Sequence, residues 1–231
     1  MTKKKKQESA ESGFEGVENA LSRTEQYIEE NQKSLTIIVA AIIIIVGGYL
    51  GYRKFIVSPK EKEASSQMYM AEQYFERDSF NLALYGDGQN LGFIDIIDEY
   101  GITKSANLAN YYAGVSYLHM GDFDMAIEYL KQFDAEDDMI APIAYGAIGD
   151  AYSELQNYEE AADFYIKASK QKENEFVAPI YLMKAGLVYE ELGEHDKAVA
   201  VYQRIKDDYG KSSEARQIDK YITRAKIKAE Q

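Results

Sequence analysis

The chain of 231 residues has no cysteine, no tryptophan, three prolines and two histidines. Without cysteine it has no disulfide, no thiol nucleophile and no cysteine-based zinc site. The histidines, His119 and His195, stand far apart, and neither belongs to a metal-binding pair. No phosphate-binding glycine loop, nucleophile elbow or metalloprotease motif occurs. These absences predict a protein that is not an enzyme and that uses no metal or other cofactor.

Basic residues are scarce in the larger part of the chain. From residue 60 onward, 18 lysine and arginine residues face 32 aspartate and glutamate residues, a net charge of −14. Such an acidic segment argues against nucleic-acid binding and against lying flat on anionic lipid. The scarcity of proline favours long helices. The 20 tyrosines suit helix–helix packing with phenol groups that reach the surface.

The longest uncharged stretch lies between Lys33 and Arg53; after Ser34 it consists of the 18-residue run LTIIVAAIIIIVGGYLGY. At about 1.5 Å per residue it spans roughly 27 Å as a helix, close to the ~30 Å hydrocarbon core of a bilayer. We predict a tail at 1–33, one transmembrane helix at 34–55 and a linker at 56–63. The alternative is a signal sequence with an unusual extension, although no A-x-A-like cleavage site follows the run.

Features in and beside this run bear on its contacts. Gly47 and Gly51 have the GxxxG spacing that lets membrane helices approach closely, so they are candidate contacts to a second membrane helix, while the remaining run faces lipid. In the tail, apolar residues from Phe14 to Ile28 recur at helical spacing. This pattern predicts either an amphipathic helix docked on a partner or the interface, or a frayed, solvated helix. Positive charges flank both ends of the run, so charge does not decide its orientation.

Beyond Pro59 the sequence repeats itself. Each repeat has a small residue, an aromatic residue three positions later, a turn residue, and then an aromatic-x-x-alanine segment. The small residues of the four repeats are Ala71, Gly114, Gly149 and Gly186. The small residue lets two helices approach closely, and a turn residue such as Gly121 or Gly193 ends the first helix in a left-handed conformation. This is the pattern of tetratricopeptide (TPR) repeats.

The pattern predicts an all-α fold in which the transmembrane helix precedes a TPR α-solenoid of about four helix pairs. The TPR domain is expected at 64–211, and a solvated capping helix at 212–231 closes the solenoid. The predicted units are 64–106, 107–141, 142–178 and 179–211.

The first unit contains an insertion around Gly86–Gly92, with Asp87 and Asn90 among the glycines. No strand precedes it, so a dinucleotide site is not expected, and its spacing does not supply the oxygen ligands of a calcium loop. We predict a surface loop that redirects a helix; a loop that contacts a partner is the alternative.

The first helices of a TPR array line its concave face, and here that face mixes apolar and acidic residues. The predicted protein-binding residues are Met68, Glu72, Phe75, Leu108, Tyr111, Val115, Leu118, Asp150, Glu154, Met183, Leu187 and Glu191. Such a groove suits a helical or extended segment of a partner. The alternative is that many of these residues pack within the array. The face lacks the Lys, Arg and Asn set that would clamp a C-terminal carboxylate.

The plan of the chain resembles a known family. EENQKSL enters the apolar helix, GYRKF leaves it, and TPR units follow. This order resembles the ancillary subunit of the SecYEG translocon, a membrane-anchored TPR family of bacterial inner membranes, in a Bacteroidetes-type version. The GDGQNLG insertion and the many tyrosines depart from the family pattern.

The resemblance implies a single-pass inner-membrane protein with a cytoplasmic N-terminus and a periplasmic TPR domain. It also implies a non-enzymatic adaptor that associates with the SecYEG translocon. The implied partners are a membrane-anchored periplasmic chaperone of the prolyl-isomerase type, an emerging polypeptide, or both. The alternative function is a TPR scaffold of another envelope assembly complex.

Overall fold

The computed structural model describes residues 30–135 and 139–231. The chain divides into two compact units, Met1–Ser58 and Pro59–Gln231. The amphipathic helix predicted for the tail lies outside the described residues. Within them, all regular structure is helical, which confirms the predicted all-α class.

The first unit contains one long helix, α1 (Gln32–Tyr52), followed by a π-helical turn, Arg53–Val57. Isoleucine and valine are only moderate helix formers in water, but a helix satisfies every backbone polar group within one segment, as hydrocarbon requires. No residue of α1 is buried. Among the described residues it supplies the one span that is long and apolar enough to cross a membrane, a test that a signal sequence near the N-terminus also passes.

The second unit is an array of helices joined by short turns. Its helices are α2 (Ser58–Glu76), α3 (Phe80–Tyr85), α4 (Phe93–Tyr100), α5 (Lys104–Met120), α6 (Phe123–Gln132), α7 (Ile140–Glu154), α8 (Tyr158–Gln171), α9 (Ala178–Glu191), α10 (His195–Asp208) and α11 (Ile218–Ala229). From α4 onward each helix packs mainly on its neighbours in sequence. The predicted repeats therefore correspond to helix pairs, with α11 in the place of the capping helix. A 3₁₀ turn, Glu214–Gln217, precedes α11.

The same kind of turn ends the first helix of each of the four repeat units. Gly121 and Gly193 have φ of +79° and +73°, which confirms the predicted left-handed conformation. Asp78 and Gln156 occupy the equivalent positions with φ of +55° and +62°. In all four turns the next residue donates its backbone N–H to the carbonyl of the repeat's tyrosine, for example Asp122 to Tyr117 at 3.0 Å. The turn geometry is thus retained where the glycine is absent.

The small residues mark the closest approach of the two helices in three units. A Cβ atom at Gly149 would lie 2.7 Å from the ring of Tyr165, and one at Gly114 would lie 2.5 Å from Leu130. At Gly186 the added atom would meet the ring of Tyr202. The large residue that closes each repeat therefore fills the space that the glycine leaves, as the repeat pattern predicts.

The insertion in the first repeat unit is a loop that several hydrogen bonds hold in place. Asp87 Oδ1 accepts hydrogen bonds from the backbone N–H groups of Gln89 and Asn90, at 2.8 and 2.7 Å, and Tyr74 Oη donates to Asp87 Oδ2 at 2.7 Å. The Tyr74 hydrogen bond is the largest of the contacts that hold the pKa of Asp87 well below its usual range. Gly86, with φ of +72°, leaves no room for a Cβ beside the carbonyl of Asn90. The loop is therefore fastened to α2.

Candidate functional site

Positions on α5, α7 and α9 that are equivalent in the repeat form one stripe along each helix. They lie six and three residues before the small residue and one and five residues after it, a spacing that places them on one helical face. The stripes are Leu108, Tyr111, Val115 and His119 on α5; Ile143, Gly146, Asp150 and Glu154 on α7; and Ile180, Met183, Leu187 and Glu191 on α9. We call these twelve residues the first-helix face.

Two of the predicted binding residues on α2 are part of the core. Met68 is 5% exposed and belongs to the main hydrophobic cluster. Phe75 packs edge-on against Phe93 and Tyr112, with ring centroids 6.4 and 5.0 Å away. Glu72, between them, is half-buried. The alternative that some predicted residues pack within the array therefore applies to Met68 and Phe75.

The predicted residues on α5 are half-buried. Leu108, Tyr111, Val115 and Leu118 all pack against the main hydrophobic cluster while part of each side chain reaches the surface. Met183 on α9 likewise packs against the cluster that joins α9, α10 and α11. Each of these five side chains is partly buried, so only part of it can contribute apolar surface to a bound partner.

The exposed residues that were predicted to bind a partner lie on α7 and α9. Leu187 is 41% exposed, and Glu154 and Glu191 are exposed. Ile143 and Ile180, which are 49% and 42% exposed, were not among the predicted binding residues. Both occupy the repeat position of Leu108, so the repeat register alone could have identified them.

Asp150 lies at the centre of a charged cluster on this face. Lys184 Nζ lies 2.6 and 2.8 Å from the two Asp150 oxygens, and Tyr165 Oη donates to Oδ1 at 2.7 Å. The cluster borders an open groove of about 500 Å³ that Leu118 and Glu154 also line. Three predicted binding residues, on two helices, therefore meet at one groove.

The tyrosines beside Asp150 are held in their neutral form. Burial is the main cause that raises the pKa of Tyr165, and the Asp150 carboxylate adds to it. Burial, followed by the charge of Asp150, raises the pKa of Tyr181 to about 12. The Tyr181 ring lies against Gly146, where a Cβ atom would collide with it. At neutral pH Tyr165 therefore acts as a hydrogen-bond donor, and Tyr181 acts as a packing group.

The remaining carboxylates of the predicted set lack a cation. Glu72, Glu154 and Glu191 form no ion pair within residues 30–135 and 139–231. Burial, with a smaller contribution from Glu76, raises the pKa of Glu72. Among the described residues, Asp150 is thus the only carboxylate of the predicted binding set that has a cationic partner.

The other candidate residues have simpler surroundings. On α1, a Cβ atom added at Gly47 or Gly51 would have no described atom within 4 Å. His119 is exposed and stacks on Phe80 at 4.7 Å between ring centroids. His195 is half-buried at the start of α10, with Nδ1 shielded from solvent. Among the described residues, no group of three or more acidic or histidine side chains could hold a metal ion.

Comparisons with known proteins agree with this architecture. A search of curated protein sequences finds no significant match. A crystal structure of MamA protein aligns with a TM-score of 0.51 and 22% identity, over 72% of this chain and 92% of that one. A second MamA crystal structure aligns at 0.49 and 22%, over 69% and 94%. The model of the tetratricopeptide repeat-like domain family matches residues 25–229, a range that includes α1 as well as the repeats. The chain therefore belongs to the tetratricopeptide repeat-like domain family.

Proposed function

We propose that the protein is a single-pass, membrane-anchored TPR adaptor of the SecYEG translocon. In this proposal α1 is retained in the inner membrane, in contact with lipid, with the N-terminus cytoplasmic and the repeats periplasmic. The first-helix face binds a membrane-anchored prolyl-isomerase-type chaperone, an emerging polypeptide, or both. TPR-type repeat folds are typically non-enzymatic scaffolds for protein interaction, so an adaptor role follows the usual use of the fold.

One observation carries the proposal: a helix that is apolar on every side precedes a repeat array with a partly exposed, mixed apolar and acidic face. The helix supports membrane attachment, because no residue of α1 is buried. The face supports binding of a protein segment, because Ile143, Ile180 and Leu187 leave branched side chains exposed on the same face as several carboxylates. The choice of the translocon rests on the resemblance of the segments around α1.

Cross-linking in membranes followed by affinity purification tests the partner. Recovery of Sec subunits together with a prolyl-isomerase-type protein is the expected result. Recovery of other envelope assembly proteins without Sec subunits contradicts the proposal and favours the alternative scaffold function. Gly47→Leu with Gly51→Leu is a useful variant, because leucine preserves insertion but prevents close helix contact. Loss of Sec recovery in this variant would assign the contact to α1.

Protease treatment of spheroplasts tests the orientation. A periplasmic array is digested from outside, whereas the tail that contains Lys3–Lys6 is protected. Protection of the array from protease would invert the proposed orientation. Release of the array into the soluble fraction without α1 would show instead that α1 is a cleaved signal sequence.

A further inference from the structure

The polarity of the first-helix face differs between the N-terminal and the C-terminal ends of its helices. At the N-terminal ends, the equivalent residues form an apolar edge, which comprises Leu108, Ile143 and Ile180. At the C-terminal ends, Glu154 and Glu191 form an acidic edge on α7 and α9, and the equivalent residue of α5 is His119. Both glutamates are exposed, as are Ile143 and Ile180 on the apolar edge. The face therefore has an apolar row that crosses three helices and a parallel acidic row on two of them.

The apolar edge is a row rather than a set of scattered residues. Ile143 and Ile180 occupy the same position in consecutive units and are 49% and 42% exposed. Packed helices lie about 8–10 Å apart, so a row across three of them covers roughly 20 Å. A row of this length, with two exposed isoleucines and the half-buried Leu108 bordered by polar residues, is characteristic of a binding surface.

The acidic edge favours cations for three physical reasons. Glu154 follows Asp150 by one helical turn, and carboxylates at this spacing repel each other. Lys184 compensates Asp150 only, and Glu154 and Glu191 have no ion pair in the described part of the chain. The C-terminal ends of α7 and α9 add the partial negative charge of the helix dipole.

We propose that the first-helix face binds an amphipathic helical segment of a partner protein that carries lysine or arginine along one side. Its apolar side chains lie on the apolar edge, and its cations lie along the acidic edge. A helix of about 13 residues spans the ~20 Å of the face at about 1.5 Å per residue. This inference rests on the proposed adaptor function and adds the chemistry of the segment that the adaptor binds.

Synthetic peptides test the proposal with the full-length chain in neutral detergent micelles. The first is a 14-residue amphipathic helix with leucines on one side and lysines beside them; the second has glutamate in place of every lysine. Fluorescence anisotropy is measured against empty micelles. We expect the lysine peptide to bind at least about tenfold more tightly than the glutamate peptide at low salt, with the difference shrinking as salt rises. Equal affinities, or binding no stronger than to empty micelles, would overturn the proposal.

Three variants locate the binding. Glu154→Gln with Glu191→Gln keeps the side-chain shapes and should weaken lysine-peptide binding by about three- to tenfold, while a glutamine version of the peptide is unaffected. Ile143→Ser with Ile180→Ser should weaken the binding of the lysine peptide and of its glutamine version alike. The matched control is the double change of the exposed Glu159 and Glu160 to glutamine at the start of α8, with no expected effect. A loss in this control as large as in the first variant would show that overall charge, not this face, attracts the peptide.

The peptide measurements are independent of the translocon assignment. Preference for the lysine peptide without recovery of Sec subunits would contradict the translocon assignment and leave this inference standing. Recovery of Sec subunits without any preference between the peptides would contradict this inference alone.

Discussion

The two ends of the helical array are each fastened by a glutamate, but the two contacts differ in kind. Near the start, Glu61 of α2 is half-buried and reaches the N-terminus of α5. It accepts hydrogen bonds from the backbone N–H of Lys104 at 2.7 Å and from the hydroxyl of Ser105 at 2.8 Å. These bonds satisfy donors that the first turn of a helix leaves free. Glu61 therefore acts as a helix cap contributed by another helix.

At the other end, Glu190 of α9 lies in the interior. Its side chain is 5% exposed, Tyr202 Oη donates to it at 2.9 Å, and Arg224 of α11 donates at 2.6 Å. Lys228 lies 3.7 Å away. Burial disfavours the ionised carboxylate, but the hydrogen bonds from Arg224 and Tyr202 outweigh it and lower the pKa of Glu190. An ion pair between the buried carboxylate of Glu190 and the partly exposed guanidinium of Arg224 thus ties α11 to the fourth repeat unit.

The two glutamates have a similar role, but the free-energy cost of removing them should differ. Removing a partly exposed cap returns backbone groups to water, which costs little. Removing the carboxylate from a buried pair leaves a cation and a phenol without their partner. We therefore expect the C-terminal end to be far more sensitive to substitution than the N-terminal end.

The largest expected effect is overpacking beside this end of the array. Gly186→Leu puts a branched side chain where even a Cβ atom would meet the buried ring of Tyr202. We expect unfolding free energy to fall by about 3 kcal/mol, measured by chemical denaturation followed by circular dichroism. Glu191→Leu introduces the same side chain five residues later at an exposed site and should change stability by less than about 0.5 kcal/mol. Equal losses would mean that the repeat register is wrong.

The second effect concerns the buried ion pair itself. Glu190→Ala should lower the unfolding free energy by about 2–3 kcal/mol, because Arg224 and Tyr202 lose their acceptor. The adjacent Glu191→Ala removes the same functional group from an exposed position and should cost less than about 0.5 kcal/mol. If denaturation midpoints shift equally for the two variants, the buried contact does not hold the C-terminal end.

The N-terminal cap should give a smaller effect. Glu61→Ala should lower the unfolding free energy by about 1 kcal/mol, as loss of a helix cap usually does. Lys62→Ala, at an exposed neighbouring position, is the matched control. A loss for Glu61→Ala as large as that for Glu190→Ala would remove the proposed difference between the two ends.

The smallest effect is a pH dependence at the C-terminal end of the array. Because the pKa of Glu190 is lowered on folding, its contribution is fully present above the unfolded-state value of about 4.3 and is lost as pH falls through the folded value. The stability gap between wild type and Glu190→Gln should therefore narrow from pH 7 to pH 3. A Glu190 gap that is constant with pH would contradict the assigned pairing.

The repeat pattern was sufficient to predict most of the fold. The glycines at 114, 149 and 186 mark helix crossings, and Gly121 and Gly193 mark turns, because close approach and positive φ each restrict the residue type. Asp78 and Gln156 adopt the same backbone conformation without that signal. Their turns could be inferred only by alignment with the other units.

The candidate site was less predictable, because it depends on which side chains meet across units. Glu190 and Glu191 are adjacent and chemically identical, yet one is buried against Arg224 and the other is exposed. The pairing of Asp150 with Lys184 spans two units and depends on rotamers. Ile143 and Ile180, in contrast, could have been identified from the repeat register.

The neighbour-to-neighbour packing of the helices has a consequence for how the chain acquires its structure during synthesis. Contacts between sequence neighbours form quickly and do not wait for distant segments. If α1 is the anchor, it enters the bilayer before the first repeat has been made. Folding can then proceed outward from the membrane, one helix pair at a time. The step that joins Glu190 to Arg224 comes last, so completion of the array coincides with burial of its C-terminal ion pair.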